Sequence, residues 1–274
     1  MHLYYSETGP ASAETIVFLY GGGAAAWVWQ PQVEALSADY HCLVPDLPEH
    51  GRSAHIKPFT IQGSALLVAD LIREKAHLGQ AHVVGLSQGA QINLALMALA
   101  PEIVDHAIVS SALVRPLPGG MGKISPQMAA AIYHWSVEPF KNNDWWTQIN
   151  MKYSAGIPDA YFPQFRETYQ QMNADLFARI LVENQQFRLP AGLERVTAPV
   201  LVVAGNNEYK AMTQSVSDIV SALPNAKGYL VHHPHRMSLA QEHNWSITTP
   251  ELFIRTVRAW LQGQALPAEL ELAG

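Results

Sequence analysis

A serine flanked by glycines is the stretch of this sequence best suited to covalent chemistry. Gly85-Leu86-Ser87-Gln88-Gly89 lies between the apolar run 81–84 and the helix-like run 90–99. A serine in such a strand–turn–helix setting adopts a strained conformation that projects its hydroxyl above the end of a sheet. Glycine at both flanking positions removes the Cβ atoms that would collide around this turn. Free amides at the start of the following helix would stabilise an anion beside Ser87.

A serine hydroxyl needs a histidine to take its proton and a carboxylate to orient that histidine. Glu208 follows the apolar run 199–204, and a cluster of histidines follows the apolar run 227–231. Open α/β sheets place their functional groups at the carboxyl ends of strands, so both segments qualify. The histidines of the cluster are His232, His233 and His235. The order along the chain is serine, acid, histidine.

The composition excludes several classes of function. The chain has 274 residues, of which 49% are hydrophobic and 15% are charged, and its formal net charge is −6. This length supports one large core or a core with an insertion. An acidic balance without basic clusters argues against nucleic acid as a partner.

The only cysteine, Cys42, lies in a strand-like run and is expected to be a buried, inert thiol, which fits a reducing compartment. The first residues show no basic region followed by a long apolar stretch, and no run of 18 apolar residues occurs. We therefore expect a cytoplasmic protein without a membrane partner.

Strand and helix patterns alternate through most of the chain. This alternation predicts an α/β fold, with a mostly parallel sheet and helices on both faces. The predicted strands are 15–20, 41–44, 81–84, 104–109, 199–204 and 227–231. The predicted helices begin at Gln30, run from the N-cap Thr60 to about Leu78, cover 90–99 and 212–223, and start again at Pro250. The tail after Gly263 is predicted to be loose.

The alternation stops between residues 115 and 190. This segment has no strand-like run, and nine aromatic residues lie between Trp135 and Tyr169. Proline and glycine mark its two ends. We interpret it as an inserted helical cap, which divides the chain into a core of residues 1–114 and 191–274 and a cap of residues 115–190.

Four landmarks together resemble the α/β-hydrolase superfamily. Tyr20-Gly21-Gly22-Gly23 stands where that family has its His-Gly oxyanion turn, with Trp29 closing the segment. The stretch 46–53 is similar to its Asp-x-x-Gly-x-Gly-x-Ser loop, with Glu49 at a usual glycine, and 85–89 is similar to its nucleophile elbow. The serine, acid, histidine order is the fourth landmark.

The resemblance implies a role for each site residue. Ser87 would be the nucleophile, Glu208 the acid, and the backbone amides of Gly22 and Gln88 the oxyanion hole. His235 fits the family's spacing before a downstream acid, here Glu242, and His232 and His233 are its rivals. The cap would cover the substrate. The substrate-binding candidates are Gly23, Trp135, Trp145 and Trp146.

The predicted function is hydrolysis of a carboxylic ester, lactone or similar small acyl substrate through an acyl-enzyme. Two alternatives stay open: the same triad could cleave a carbon–carbon bond, as hydrolase or lyase, or the chain could be a non-catalytic receptor for a small ligand. Dehalogenases and epoxide hydrolases of the superfamily use an aspartate nucleophile. The serine at position 87 therefore argues against both of these enzyme classes. We expect no cofactor, and we expect no metal at the cluster 232–235, since a helical histidine pair and further cysteines are missing. His50 is interpreted as a loop-packing residue.

Overall fold

A computed structural model describes residues 2–117, 124–233 and 235–273. Its centre is an eight-stranded sheet with the order β1-β3-β2-β4-β5-β6-β7-β8. The strands β2 to β7 pair in parallel, while β1 pairs with β3 and β8 pairs with β7 in antiparallel fashion. The strands are β1 Tyr5–Thr8, β2 Thr15–Leu19, β3 His41–Pro45, β4 Ala81–Leu86, β5 Val104–Ser110, β6 Val200–Gly205, β7 Ala226–Val231 and β8 Leu270–Leu272.

The helices fill the crossover connections and the insertion. They are α1 Gln30–Leu36, α2 Ile61–Lys75, α3 Gln88–Leu99, α4 Pro126–Ser136, α5 Asp144–Ile149, α6 Phe162–Gln171, α7 Ala174–Gln186, α8 Lys210–Ala222, α9 Leu239–His243, α10 Trp245–Thr248 and α11 Pro250–Leu261. A π-helical segment, Asn150–Ala155, continues α5. None of the described helices combines the length and the apolar character that crossing a membrane requires.

Burial of the central strands explains their apolar runs. Every residue of β2, β3, β4 and β6 is buried, although successive side chains of a strand point to opposite faces. Both faces of the central sheet are therefore covered, as the prediction of a parallel sheet between helices requires. Helix α3 is buried from Gln88 to Ala98, which confirms that a helix with apolar residues on all sides lies in the middle of the molecule.

The sequence missed the two edge strands. β1 at one edge is mostly exposed, and β8 at the other lies in the segment predicted to be loose. That prediction is wrong because Leu270–Leu272 pairs with Tyr229–Val231. The predicted cap of α2 is confirmed, since the side chain of Thr60 accepts a hydrogen bond from the Gly63 amide. Helix α2 ends at Lys75, three residues before the predicted end.

Between β5 and β6, the described residues contain helices and no strand. An ion pair with a buried carboxylate joins this insertion to the core: the Arg179 guanidinium on α7 donates to both carboxylate oxygens of Glu49, at 2.6 and 2.7 Å. Glu49 has a φ of 65°, a conformation that glycine adopts without strain and glutamate does not. Phe59 adds a backbone hydrogen bond to the same carboxylate. Glu49 thus serves as an anchor that attaches α7 to the core.

Coupling between Glu49 and Arg179 can be measured with a double-mutant cycle of Glu49→Gln and Arg179→Met in urea unfolding. We expect a coupling free energy of about 1–3 kcal/mol, because the glutamate side chain is almost fully buried. The exposed pair Arg166–Asp144 within the insertion is the matched control, with an expected coupling below about 1 kcal/mol. Equal coupling for the two pairs would contradict the anchor.

The same coupling should depend on pH. Burial raises the pKa of Glu49. The hydrogen bonds from Arg179 and Phe59 and the charge of Arg179 lower it by a larger amount, so that the net pKa lies below its ordinary value. The stabilisation is therefore present above the unfolded-state pKa of about 4.3 and is lost as the pH falls through the lower folded-state value. Unfolding curves of wild type and Glu49→Gln should converge in that acid range.

Candidate active site

Ser87 occupies the turn between β4 and α3 in a strained conformation. Its φ is 55° and its ψ is −117°, outside the regions that L-residues prefer. The Ser87 amide donates a 2.8 Å hydrogen bond to the Ser110 carbonyl at the end of β5, which fixes the turn against the neighbouring strand. The geometry is the one that the sequence motif predicted for residues 85–89.

The flanking glycines are required by close backbone contacts. A Cβ atom on Gly89 would lie 2.1 Å from the Leu19 carbonyl oxygen, and one on Gly85 would lie 2.5 Å from the Gly89 carbonyl oxygen. Neither backbone can move without displacing β2 or α3. The interpretation of these glycines as a steric requirement is therefore correct.

Glu208 follows β6 and is held by three donors. Its Oε1 accepts hydrogen bonds from the Gly205 amide at 2.8 Å and the Ser111 hydroxyl at 2.5 Å, and its Oε2 lies 2.9 Å from His243 Nδ1. Burial of Glu208 raises its pKa, but the charge and hydrogen bond of His243 and the Ser111 and Gly205 donors outweigh burial. The net pKa lies below the ordinary value, which keeps Glu208 ionised at neutral pH.

The histidine on Glu208 is His243, and this corrects the assignment of His235. His243 ends α9 and is half-buried, with Nδ1 toward the acid. His235 is exposed to solvent, eight residues earlier in the chain. The rival His233 packs its ring against Trp245, and neither of its nitrogens has a hydrogen-bond partner among the described residues. His232 faces Glu271 at the sheet edge.

Ser87 and His243 line the same cleft, whose volume is about 250 Å³. The loop after β2 forms one wall, and Ser154–Ile157 and α6 contribute the other side. Its lining comprises Gly21, Gly22, Gly23, Ala24, Trp27, Val28, Leu86, Ser87, Ser154, Ala155, Ile157, Phe165, His243 and Asn244. Of the predicted substrate-binding residues, Gly23 therefore lies at the cleft.

The segment assigned to the oxyanion hole is next to the serine. A Cβ atom on Gly21 would lie 3.2 Å from Ser87 Cβ, and one on Gly22 would lie 2.3 Å from Gln88 Oε1, so this loop passes directly over the elbow. Gln88 is the first residue of α3, where backbone amides have no partner within the helix. Its side chain donates to the Ile180 carbonyl at 3.1 Å, which ties the elbow to α7. The oxyanion roles of Gly22 and Gln88 stay predictions.

The tryptophans predicted to bind substrate lie elsewhere, and this corrects a second set of residues. Trp135 and Trp145 have 82% and 68% of their surfaces exposed, and Trp146 packs against Phe140. None of the three lines the cleft with Ser87. Aromatic density identified the insertion but not which side of each helix faces the cleft. Its aromatic walls are instead Trp27 and Phe165.

Sequence reasoning also missed Ser111, which donates to Glu208. Ser111 has a φ of 54° and is held by its amide, which donates to the Val203 carbonyl at 2.8 Å. Its position directly after the carboxyl end of β5 was a usable signal. His243 offered a weaker signal, since it lies 12 residues past the end of β7, after the histidine cluster.

Tyr20 departs from the family pattern, and its contacts explain the departure. Tyr20, at the position of the usual histidine, is fully buried and accepts a 2.7 Å hydrogen bond from the Leu47 amide, so it joins the two loops. His50 packs edge-on against Tyr20 and Phe59 and bonds the Pro48 carbonyl. The interpretation of His50 as a loop-packing residue agrees with these contacts.

The Glu208–His243 hydrogen bond should give a far-downfield imidazole N–H signal in proton NMR spectra. We expect Glu208→Gln to shift that signal upfield and His243→Ala to abolish it, because a charged acceptor deshields the proton. His235→Ala is the matched control and should leave the signal unchanged. Loss of the signal in His235→Ala, with retention in His243→Ala, would contradict the assignment.

Comparison with known proteins agrees with this fold. A protein named AB hydrolase superfamily protein from Gibberella zeae is 38% identical over 109 residues, which are 39% of this chain and 38% of that protein. The magnesium-chelatase 30 kDa subunit of Rhodobacter capsulatus is 28% identical over 82% of this chain and 84% of its own length. The enol-lactonase of Burkholderia xenovorans LB400 superimposes with a TM-score of 0.72 at 19% identity, over 95% of this chain and 96% of that one.

The model of the alpha/beta hydrolase family matches residues 16–253. That span begins in β2 and ends within α11. It includes the elbow, the insertion, the loop that carries Glu208 and helix α9, which carries His243. The sheet order and the strained serine agree with this match. The chain therefore belongs to the alpha/beta hydrolase family.

Proposed function

We propose that this protein is a serine hydrolase that cleaves an ester or lactone bond of a small, uncharged acyl substrate through an acyl-enzyme. The observation that carries the proposal is the 2.9 Å contact between His243 Nδ1 and Glu208, at a cleft that Ser87 also lines. A histidine held in this way keeps its Nε2 available as a base.

In the first step, the Ser87 oxygen attacks the acyl carbon and its proton passes to His243 Nε2. The carbonyl oxygen becomes an oxyanion, which the amides of Gly22 and Gln88 would stabilise. Collapse breaks the bond to the leaving oxygen, and His243 returns the proton to it. Water then repeats the sequence on the acyl-enzyme and releases the acid and free Ser87.

Glu208 orients His243 and stabilises the imidazolium that forms in each step. Its lowered pKa supports this role, because only the ionised carboxylate provides the stabilisation. Ser111 and the Gly205 amide hold its other oxygen, which leaves Oε2 for the histidine. We assign Ser111 and Gly205 as positioning residues.

The cleft supports an uncharged substrate. Among the described residues that line it, His243 is the only one with an ionisable side chain, and none of them is an arginine or lysine that could bind an anionic group. Trp27 and Phe165 offer flat apolar walls, and a volume of about 250 Å³ admits only a small acyl group. The enol-lactonase with the same fold acts on an internal ester, as its name states, which is compatible with this substrate class.

A fluorophosphonate probe tests the nucleophile directly. We expect one equivalent of label on the full-length protein, mapped by peptide mass spectrometry to Ser87 and absent in Ser87→Ala. Ser154→Ala is the matched control, because Ser154 lines the same cleft and should not change labelling. Label on Ser154, or undiminished label in Ser87→Ala, would overturn the proposed nucleophile.

Ester hydrolysis tests the acid and the base. With an active p-nitrophenyl ester, Glu208→Gln should lower kcat by about 10⁴-fold, since the amide neither holds the required tautomer nor stabilises imidazolium. His243→Ala should lose at least as much, and the exposed His235→Ala should stay within a few fold of wild type. A strong loss in His235→Ala and a mild one in His243→Ala would reverse the assignment of the base.

A further inference from the structure

Two histidines and an aspartate meet at the amino ends of two central strands, on the side of the sheet away from Ser87. His82 lies at the amino end of β4, and Asp105 and His106 lie at the amino end of β5. One potential ligand atom from each of the three lies within 4.8 Å of the others. Ser87 follows the other end of β4, roughly 16 Å from His82 at about 3.3 Å per strand residue. The cluster is therefore separate from the proposed active site.

A bulge between the two strands brings these side chains together. Ala81 pairs with Val104 and Val83 pairs with Ala107, so His82 alone lies opposite both Asp105 and His106. In a regular strand the side chains of consecutive residues point to opposite faces, so that only one of Asp105 and His106 would lie beside His82. Bulges are rare in parallel pairs and often redirect a side chain at a functional site.

His82 has one ring nitrogen without a partner. The residue is 3% exposed, and its Nδ1 forms no hydrogen bond with any described residue. Nδ1 lies 3.7 Å from Asp105 Oδ1, while Nε2 lies 3.5 Å from Glu14 Oε2 on the other side of the ring. A carboxylate beside Nε2 favours the tautomer with the proton there, which leaves the Nδ1 lone pair facing Asp105.

His106 completes the set of donors. Its Nδ1 lies 2.5 Å from Asp105 Oδ1, and its ring is edge-on to that of His82 with centroids 5.3 Å apart. A tetrahedral zinc ion with bonds of about 2.0–2.2 Å has ligand atoms about 3.3–3.6 Å apart. The distance from His82 Nδ1 to Asp105 Oδ1 is close to this value. The distance from His106 Nδ1 to Asp105 Oδ1 is shorter, and the exposed Asp105 carboxylate has room to move away from His106 and lengthen it.

We propose that His82 Nδ1, Asp105 Oδ1 and His106 Nδ1 bind a divalent transition-metal ion, Zn²⁺, with a solvent molecule as fourth ligand. Imidazole and carboxylate are ligands that zinc accepts, and Glu14 supplies the outer carboxylate that commonly orients a ligating histidine. A cleft of about 190 Å³ between Glu14, His82 and Asp105 gives solvent access to the cluster. The ion joins the amino ends of β4 and β5.

The sequence prediction of no metal rested on the cluster 232–235. His82 lies 23 residues before Asp105 in the chain, and His106 directly follows Asp105, so no short sequence spacing links the three residues. Cys42 does not compete for the ion, because burial raises the pKa of its thiol to about 12.

Calorimetric titration of chelator-treated full-length protein with Zn²⁺ tests the site. We expect one equivalent to bind and the Tm to rise by at least about 3 °C at saturating Zn²⁺. Asp105→Asn and His106→Gln should each weaken binding by at least about 10-fold, and Glu14→Gln should weaken it by about 10–100-fold. Asp105 and His106 are partly exposed, so these variants should fold, which melting without zinc verifies.

Two exposed histidines provide matched controls. His134→Ala removes an imidazole that pairs with a carboxylate, Glu138, outside any cluster, and His235→Ala removes one from the cluster 232–235. Both should bind zinc like wild type. The proposal is overturned if wild type binds no zinc, if Asp105→Asn and His106→Gln bind it unchanged, or if His235→Ala alone abolishes binding.

Discussion

The close approach of α3 to β2 and β4 is the constraint on which the site depends. The backbone of Gly89 lies against the Leu19 carbonyl, and that of Gly85 lies against Gly89, with no space for a Cβ atom at either position. The chain can make so tight a turn only if Ser87 takes a positive φ. Hydrogen bonds and packing on every side must balance the cost of this conformation, and they also aim the serine at the cleft.

The carboxyl end of β5 connects the elements that carry the site. The Ser110 carbonyl accepts from the Ser87 amide, and the Ser110 hydroxyl accepts from Trp245 Nε1 two residues after His243. The next hydroxyl, on Ser111, donates to Glu208. Two consecutive serines therefore contact the nucleophile turn, the acid and the segment that carries the histidine. A shift of β5 would disturb all three, although β5 itself supplies none of them.

Local patterns in the sequence were enough for the central strands, for the elbow and for Glu208. Apolar runs identify buried parallel strands because both faces are covered, and a glycine-flanked serine between strand and helix has few alternatives. Glu208 follows its strand by only three residues, so the end of β6 determines its location. These features depend on neighbours in the chain, which a single sequence displays.

The identification of His243 depends on tertiary contacts, which a single sequence does not display. The chain after β7 passes three other histidines before α9 returns to Glu208, and spacing alone favoured the earlier His235. The same limit applies to Trp135, whose exposure is decided by how α4 packs, and to β8, which is a strand only because β7 offers a free edge. The pairing of His82 with Asp105 and His106 needs the register of two strands.

If Glu208 acts only through His243 on Ser87, the two residues form one catalytic unit, and kinetic additivity can reveal it. The measurement is kcat for ester hydrolysis by His243→Ala, Glu208→Gln and the variant that carries both changes, each corrected for the uncatalysed rate. Residues that act as a unit give non-additive losses. We predict that the combined variant is no slower than His243→Ala alone. Losses that multiply, so that the combined variant falls below His243→Ala by the full factor for Glu208→Gln, would show that Glu208 acts independently of His243.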